Sequence, residues 1–125
     1  MTRTNISSGY AYEDVYGYAR AVRVGDMVLV SGTTARGAQL DGDAYTQMMD
    51  AVVIVTATLS EAGAELRHVV RTVVYICNMA DADQVARAHR ETFGAVRPAS
   101  TLVQVAALTP ATARVEIEVT AIIHH

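Results

Sequence analysis

The chain of 125 residues contains no lysine, and all ten of its basic residues are arginine. This absence excludes any mechanism in which a lysine forms a Schiff base with the substrate or acts as the general base. The formal net charge at pH 7 is −3, and the arginines form no cluster along the sequence. Nucleic-acid binding depends on a basic surface that contacts phosphates, so the composition argues against a nucleic-acid partner.

Cysteine and long hydrophobic runs are also scarce. The single cysteine, Cys77, excludes an internal disulfide and any site built from several cysteines, and its alternation with Val73 and Tyr75 favours a packed thiol. No apolar run reaches the roughly 18 residues that a membrane span needs, and the N-terminus has no hydrophobic signal segment. We therefore expect a cytoplasmic protein with no membrane partner. Since no H-x-x-x-H motif or carboxylate–histidine cluster is present, we also expect no metal.

The residues that are present predict a globular α+β domain. Hydrophobic residues make up 51% of the chain and charged residues 18%, a balance that suits a protein with part of its surface buried in an oligomer. The length predicts one domain over residues 1–125. Residues 1–17 show no strong period, so we expect an irregular arm there. Alternating patterns predict five strands, at 18–24, 27–31, 71–77, 102–106 and 115–119.

Turn and cap residues divide the rest of the chain. Gly25 and Asp26 predict a hairpin between the first two strands. A stripe of apolar residues predicts a long helix that begins at Asp43 and ends at Gly63. The spacing of a capping box over 81–84 predicts the start of a second helix, which ends at Gly94. The predicted order is ββαβαββ, with both helices on one face of the sheet.

The last strand has two different faces. Val115, Ile117, Val119, Ala121 and Ile123 point one way and are expected to meet the helices. The opposite face mixes the carboxylates of Glu116 and Glu118 with Thr120 and Ile122. This mixture suits a surface shared between subunits better than one exposed to solvent.

The segment RPASTLVQV, residues 97–105, places two hydroxyls where a loop leads into a strand. A nucleophilic Ser100 or Thr101 would need a base within reach and usually a sharp turn rich in glycine, which Pro98 and Ala99 do not provide. His68 and His89 are the only histidines away from the C-terminus. His89 follows the helical stripe of Val85 and Phe93, which favours a partly buried histidine with a structural partner over a catalytic base.

Five segments, taken in order, carry a resemblance to a known family: GYARAV (17–22), VGDMVLVSG (24–32), RTVVY (71–75), RPASTLVQV (97–105) and VEIE (115–118). Together they resemble the RidA/YjgF family of reactive-intermediate deaminases along nearly the whole chain. The resemblance implies a chorismate-mutase-like fold with a mixed sheet, assembled as a homotrimeric barrel with small-molecule clefts between subunits. It also implies hydrolysis of enamines and imines to a carbonyl product and ammonia, without metal or cofactor.

The resemblance also implies roles for individual residues. Tyr18 and Ser31 correspond to a tyrosine and a serine of the family's cleft, and Glu116 corresponds to the glutamate that orients water. Family members that act on imines derived from amino acids grip the substrate carboxylate with an arginine, and Ser100 stands at that position here. Two residues further on, at a position that is often cysteine in the family, this chain has Leu102. Backbone groups from Ser100 through Thr101 to Leu102 are expected to hold developing charge.

The missing arginine leaves the function open between two classes. One is an enamine or imine deaminase whose substrate is not a small acid of the 2-aminoacrylate type. The alternative is a trimer that binds a small molecule without turnover, as a sensor or chaperone-like module. Arg20 and Arg97 are the nearby candidates for a relocated guanidinium; strand alternation would face Arg97 away from Ser100, unless the loop before Pro98 bends it back. A ribonuclease, a name given to some relatives, is disfavoured by the acidic charge balance.

Overall fold

The computed structural model describes all residues from 1 to 125. Its strands are β1 (Arg3–Ile6), β2 (Ala21–Val24), β3 (Met27–Thr33), β4 (Val69–Ile76), β5 (Ala99–Gln104) and β6 (Val115–Ile122). Its α-helices are α1 (Ala11–Tyr16), α2 (Ala44–Glu61) and α3 (Ala82–Phe93). Short 3₁₀ turns lie at Gly37–Asp41, Leu66–His68 and Met79–Asp81.

The six strands form one mixed sheet in the order β1-β2-β3-β6-β4-β5. All neighbouring strands are antiparallel except β4 and β5, which are parallel because α3 carries the chain back across the sheet between them. Helices α2 and α3 pack together and contribute to one cluster of 21 buried residues with the inner face of the sheet. The predicted α+β class, and the order ββαβαββ from β2 onward, are confirmed.

The prediction for residues 1–17 was wrong, because this segment contains β1 and α1. Strand β1 pairs with β2 at the edge of the sheet and is almost fully exposed, so its residues need no apolar alternation. Helix α1 has only six residues, too few to show a helical period. The buried carboxylate of Glu13 holds this segment together by accepting hydrogen bonds from the side chains of Ser7 and Ser8.

The predicted ends of α2 are confirmed, and α3 begins at Ala82, directly after Asp81, as predicted, but without the predicted capping box. Asp43 Oδ1 accepts a hydrogen bond from the Thr46 backbone N–H at 2.9 Å, and Gly63 follows the helix in the left-handed region with φ of 85°. Asp81, in contrast, makes no capping bond and instead accepts from Arg114 Nη1 at 3.2 Å. Gln84 accepts from the Tyr45 backbone N–H, so the capping box predicted at 81–84 does not form.

Strand β6 lies in the middle of the sheet and separates its two faces as its sequence predicts. Val115, Ile117, Val119 and Ala121 are buried under the helices, whereas Glu116 and Glu118 lie half-buried on the opposite face. On that face Met27, Leu29 and Ile122 are 43%, 45% and 40% exposed.

None of the helices combines the length and the apolar composition that a membrane-spanning helix needs.

Candidate functional site

A cavity of about 460 Å³ opens on the side of the sheet where β3 and β6 lose their regular pairing. Aromatic and polar side chains from the N-terminal segment, β3, the following loop and β6 surround it. Its lining consists of Tyr10, Tyr12, Tyr16, Tyr18, Ser31, Gly32, Thr34, Arg36, Ala107, Leu108, Thr109 and Glu116. Three of the residues predicted for the site, Tyr18, Ser31 and Glu116, therefore lie together.

A β-bulge shapes the floor of this cavity. Val30 pairs with Val119 and Thr33 pairs with Ile117, so two residues of β3, Ser31 and Gly32, face one residue of β6. A bulge bends its strand and redirects side chains, which is why bulges often occur next to functional sites. The Ser31 hydroxyl donates to the Ala19 carbonyl at 2.7 Å, and this bond fixes the bulged strand to the segment that carries Tyr18.

The Glu116 carboxylate lies directly against the backbone of Gly32. A Cβ atom added to Gly32 would stand 2.8 Å from Glu116 Cδ, so a side chain at this position would displace the carboxylate. Burial raises the pKa of Glu116, the cations of Arg20 and Arg36 act against that increase, and the charge of Glu118 adds to it. No hydrogen bond from the chain contributes to this pKa, so both carboxylate oxygens are free to accept a proton or a water molecule.

Arg20 is buried beneath the bulge and supports it. Its side chain is 1% exposed, and Nη2 donates to the Gly32 carbonyl at 2.5 Å. The other two guanidinium nitrogens, Nε and Nη1, are buried without a partner, and no carboxylate lies within 4.0 Å. Because Arg20 is enclosed, it cannot grip a ligand in the cavity. The prediction that it could replace the missing arginine was wrong.

Four tyrosines form the aromatic side of the cavity. Tyr12 and Tyr16 lie one turn apart on α1 with parallel rings, and each meets the Tyr18 ring edge-on, at centroid distances of 6.4 and 5.9 Å. The rings of Tyr12 and Tyr16 are 39% and 75% exposed, so they form an open wall. Of the four tyrosines, only Tyr18 has a role predicted from the sequence, because the others lie in the segment expected to be irregular.

Arg36 supplies the only guanidinium in the lining of this cavity, and it is not among the residues predicted from the sequence. It lies half-buried in the loop after β3, five residues beyond Ser31. Burial lowers the pKa of Arg36, the cation of Arg20 adds to that decrease, and Tyr10, Tyr18 and Asp50 act in the opposite direction. The only signal in the sequence is its position shortly after the VSG segment, since nothing there indicates that the loop folds back over the bulge.

A second cavity, of about 360 Å³, lies between α3 and the edge strand β5. Ser100, Leu102 and Arg97 line it together with His89 and Phe93. Arg97 has a left-handed backbone with φ of 58°, and this turn before Pro98 brings its side chain to the same cavity as Ser100. Its Nε donates to the Gly94 carbonyl at 3.0 Å.

The contacts of Ser100 do not resemble those of an activated nucleophile. Ser100 Oγ accepts a hydrogen bond from Thr72 Oγ1 at 2.7 Å, and Thr72 Oγ1 lies 2.8 Å from His89 Nε2. The histidine therefore reaches Ser100 only through a threonine, and burial lowers the pKa of His89. Thr101 points to the opposite face of the sheet, where Thr101 Oγ1 accepts from Arg71 Nη2, and it lines neither cavity.

Six of the seven predicted site residues thus fall into two groups, which lie in separate cavities of the chain. Tyr18, Ser31 and Glu116 line the first cavity, Ser100, Leu102 and Arg97 line the second, and the two linings share no residue. The second group lies at the free edge of β5, where residues 99–102 are exposed. No group of three or more His, Cys, Asp and Glu side chains is placed to hold a metal ion.

Known proteins are similar to this chain along nearly its whole length. A family model described as endoribonuclease L-PSP matches residues 10–123. An uncharacterized protein of Streptomyces coelicolor is 40% identical over 119 residues, which cover 93% of this chain and 89% of that protein. A 2-iminobutanoate/2-iminopropanoate deaminase of Mus musculus is 31% identical over 126 residues, covering 98% of this chain and 93% of that one.

A solved structure supports the same relationship. Rv2704 from Mycobacterium tuberculosis, a member of the YjgF/YER057c/UK114 family, superposes with a TM-score of 0.91 at 39% sequence identity. The match covers 98% of this chain and 100% of that one.

Proposed function

Because the chain belongs to the YjgF/RidA family, some of whose members are named imine deaminases, we propose that it hydrolyses an enamine or imine to a carbonyl compound and ammonia. The observation that carries this proposal is the Glu116 carboxylate. It is half-buried in a cavity large enough for a small planar molecule, it has a raised pKa, and no group of the chain occupies its oxygens.

The proposed chemistry needs water, one carboxylate and no cofactor. Solvent protonates the imine nitrogen, and the Glu116 carboxylate accepts a proton from water as the water oxygen bonds to the imine carbon and the C=N electron pair moves to nitrogen. The resulting tetrahedral species carries a hydroxyl and an amino group on that carbon. Glu116 returns its proton to the nitrogen, the C–N bond breaks with release of ammonia, and the hydroxyl proton passes to solvent as the C=O bond forms. One water is consumed and one ammonia is released.

We propose that two protomers of a homotrimer complete each site. The groups of Glu116 and Ser100 lie in separate cavities of one chain, and the second cavity is at an exposed sheet edge. A neighbouring copy can place its Ser100–Leu102 segment, with backbone N–H groups, against the cavity of Glu116. The apolar side chains of Met27, Leu29 and Ile122 on the outer sheet face supply a surface for this assembly.

The proposed substrate is not a small 2-imino acid. Ser100 stands where related enzymes are expected to carry the carboxylate-binding arginine, and a hydroxyl cannot replace a bidentate charge-assisted pair. A hydrogen bond to a charged group contributes about 1.5–3 kcal/mol, so its loss lowers turnover of 2-aminoacrylate by roughly 10- to 100-fold or more. A larger planar substrate fits the tyrosine-lined cavity better.

The endoribonuclease name of the family model is a less suitable description of this chain. Its net charge is −3 and it has no lysine, whereas RNA binding relies on basic surfaces.

The second candidate function is a trimer that binds a small molecule without turnover, and the absent arginine at position 100 favours it. Binding of aromatic carboxylates with no ammonia release from any imine supports that second function.

Substitution of Ser100 by arginine is the experiment that tests the proposed function. We expect Ser100→Arg to release ammonia from enzymatically generated 2-aminoacrylate about 10- to 100-fold faster than the wild type, because the new guanidinium restores the ion pair with the substrate carboxylate. The measurement is the initial rate of ammonia release, with the uncatalysed decay of 2-aminoacrylate subtracted.

Two results would contradict the proposal. High activity of the wild type on 2-aminoacrylate would show that a neutral Ser100 does not limit small acids. No ammonia from either protein, on this or any aromatic imine, would leave only the binding function.

The buried charge of Arg20 gives a prediction for pH dependence. Arg20 favours the charged form of Glu116, so Arg20→Gln raises the pKa of Glu116 further. A catalytic carboxylate loses activity as pH falls through its pKa, so we expect the acid limb of the kcat profile to move to higher pH. Arg23→Gln is the matched control: Arg23 also donates to a backbone carbonyl, but it does not affect the pKa of Glu116. An unmoved limb in Arg20→Gln would exclude this coupling.

A further inference from the structure

We propose that Arg36 is the anion-binding residue of the Glu116 cavity, and that the substrate is a planar imine or enamine whose carboxylate lies at a distance from the C=N bond. This inference rests on the proposed function and adds the substrate class. Arg20 and Arg97 were the two candidates considered from the sequence. Arg36, unlike them, lines the same cavity as Glu116.

The guanidinium of Arg36 is fixed on one side by the loop that carries it. Nη1 contacts the Thr34 carbonyl at 2.8 Å, Thr34 Oγ1 at 2.6 Å and the Ala35 carbonyl at 3.3 Å. The backbone N–H of Arg36 donates to Asp50 Oδ2 at 2.9 Å, which ties the loop to α2. These partners orient the side chain, and the three that hold its guanidinium carry no charge.

The other side of the guanidinium has unused donors. An arginine presents five N–H groups, two of them on Nη1, so three remain on Nε and Nη2. Neither Nε nor Nη2 donates to any group of the chain, and no carboxylate lies within 4.0 Å of either. Nε and one N–H of Nη2 form the parallel pair that binds a carboxylate through both oxygens. The structure thus presents an oriented guanidinium fork whose Nε and Nη2 donors are unused.

The surroundings of the fork select a planar partner. The Tyr10 ring lies under the guanidinium, with Arg36 Cζ 3.9 Å from its centroid. The edges and faces of Tyr12, Tyr16 and Tyr18 form the adjacent wall, and aromatic rings pack well against flat molecules. A planar substrate can lie along this wall while its carboxylate reaches Arg36.

The charges of the cavity separate the acid group from the reacting carbon. Glu116 is the only carboxylate in the lining and Arg36 the only cation. A carboxylate on the imine carbon would lie beside Glu116 and be repelled, whereas one further along the molecule would meet the guanidinium of Arg36. The neutral Ser100 fits the same picture, because it offers no charge for an acid at the reacting centre.

Binding of phenylacetate and its neutral isostere phenylacetamide tests this inference by isothermal titration calorimetry. We expect the wild type to bind phenylacetate at least about 10-fold more tightly than phenylacetamide. Arg36→Gln should weaken the binding of phenylacetate by about 10- to 100-fold and leave the affinity for phenylacetamide unchanged. Arg36→Lys, which keeps the charge and loses the fork, should give an intermediate loss and covers the case in which the glutamine variant does not fold.

The matched control is Arg87→Gln, since Arg87 also lies 3.9 Å from a tyrosine centroid, that of Tyr45, but outside both cavities. We expect it to bind like the wild type. A preference for phenylacetate that survives both Arg36 variants, or that disappears in Arg97→Gln, would overturn the assignment, as would a wild type with no preference.

Failure of this inference and failure of the proposed function have different signatures. If neutral aromatic imines release ammonia but phenylacetate shows no dependence on Arg36, the hydrolase stands and the anion site is wrong. If phenylacetate binds through Arg36 but no imine releases ammonia, the anion site stands and the hydrolase is wrong.

Discussion

Glu116→Gln is expected to lower kcat for imine hydrolysis by roughly 10²- to 10⁴-fold, the contribution that a positioned acid–base group usually makes. The amide keeps the shape of the side chain and can still hydrogen-bond to water, but it cannot accept the proton that water must lose. Because the substrate contacts of Tyr18 and Arg36 are unchanged, KM should change much less than kcat. The measurement is steady-state ammonia release from an aromatic imine.

Glu118→Gln provides the matched control two residues along the same strand. Its carboxylate lies on the same face of the sheet but accepts a hydrogen bond from the Tyr75 hydroxyl and is not part of the cavity lining. We expect it to retain most of the wild-type kcat. Its charge contributes to the raised pKa of Glu116, so its removal should move the acid limb of the pH profile slightly to lower pH. Equal loss in both variants would mean that Glu116 has no special role.

The arrangement of Glu116 illustrates what the sequence can and cannot predict about this site. The alternation of β6 correctly placed its carboxylate away from the helices, because a period of two is fixed by strand geometry. The contact with Gly32 could not be predicted, since it depends on one extra residue in β3 at the bulge. A bulge leaves no regular pattern in the sequence, and here it decides which side chains meet.

Prediction of the fold succeeded where local signals are strong and failed where tertiary contacts decide. Asp43 and Gly63 marked the ends of α2 although its Val52–Val55 segment favours a strand. Helix α1 has no comparable signals, and the contacts of Glu13 with Ser7 and Ser8 stabilise it. The error at α1 therefore removed Tyr12 and Tyr16 from the predicted site.

Arg36 was missed for a related reason. Its loop lies over the bulge because the Arg36 backbone is held by Asp50, a residue of α2 that is 14 positions away. Such a contact becomes visible only when the helix and sheet are assembled. The sequence comparison directed attention to position 100 instead, where the family's arginine is absent, and to guanidinium groups near it in the chain.

A mixture of two inactive variants is expected to recover activity if each site is built from two protomers. Glu116→Gln inactivates the first cavity, and Ser100→Phe fills the second, where the new ring would lie beside Phe93. In a cyclic trimer assembled from equal amounts of both, about a quarter of the sites combine an intact Glu116 with an intact neighbouring Ser100 segment. We therefore expect co-expressed, mixed oligomers to release ammonia at about a quarter of the wild-type rate per site.

The control mixture combines Glu116→Gln with the double variant that carries both substitutions, since no protomer then supplies Glu116 and no activity should return. Light scattering should first show that each variant assembles to the wild-type mass, because a change of assembly would abolish activity for another reason. A mixture that stays as inactive as its components, although the oligomers have exchanged, would place the whole site within one chain. Recovery near a quarter requires that Glu116 and the Ser100 segment act across the interface, since the cavities that they line in one protomer share no residue.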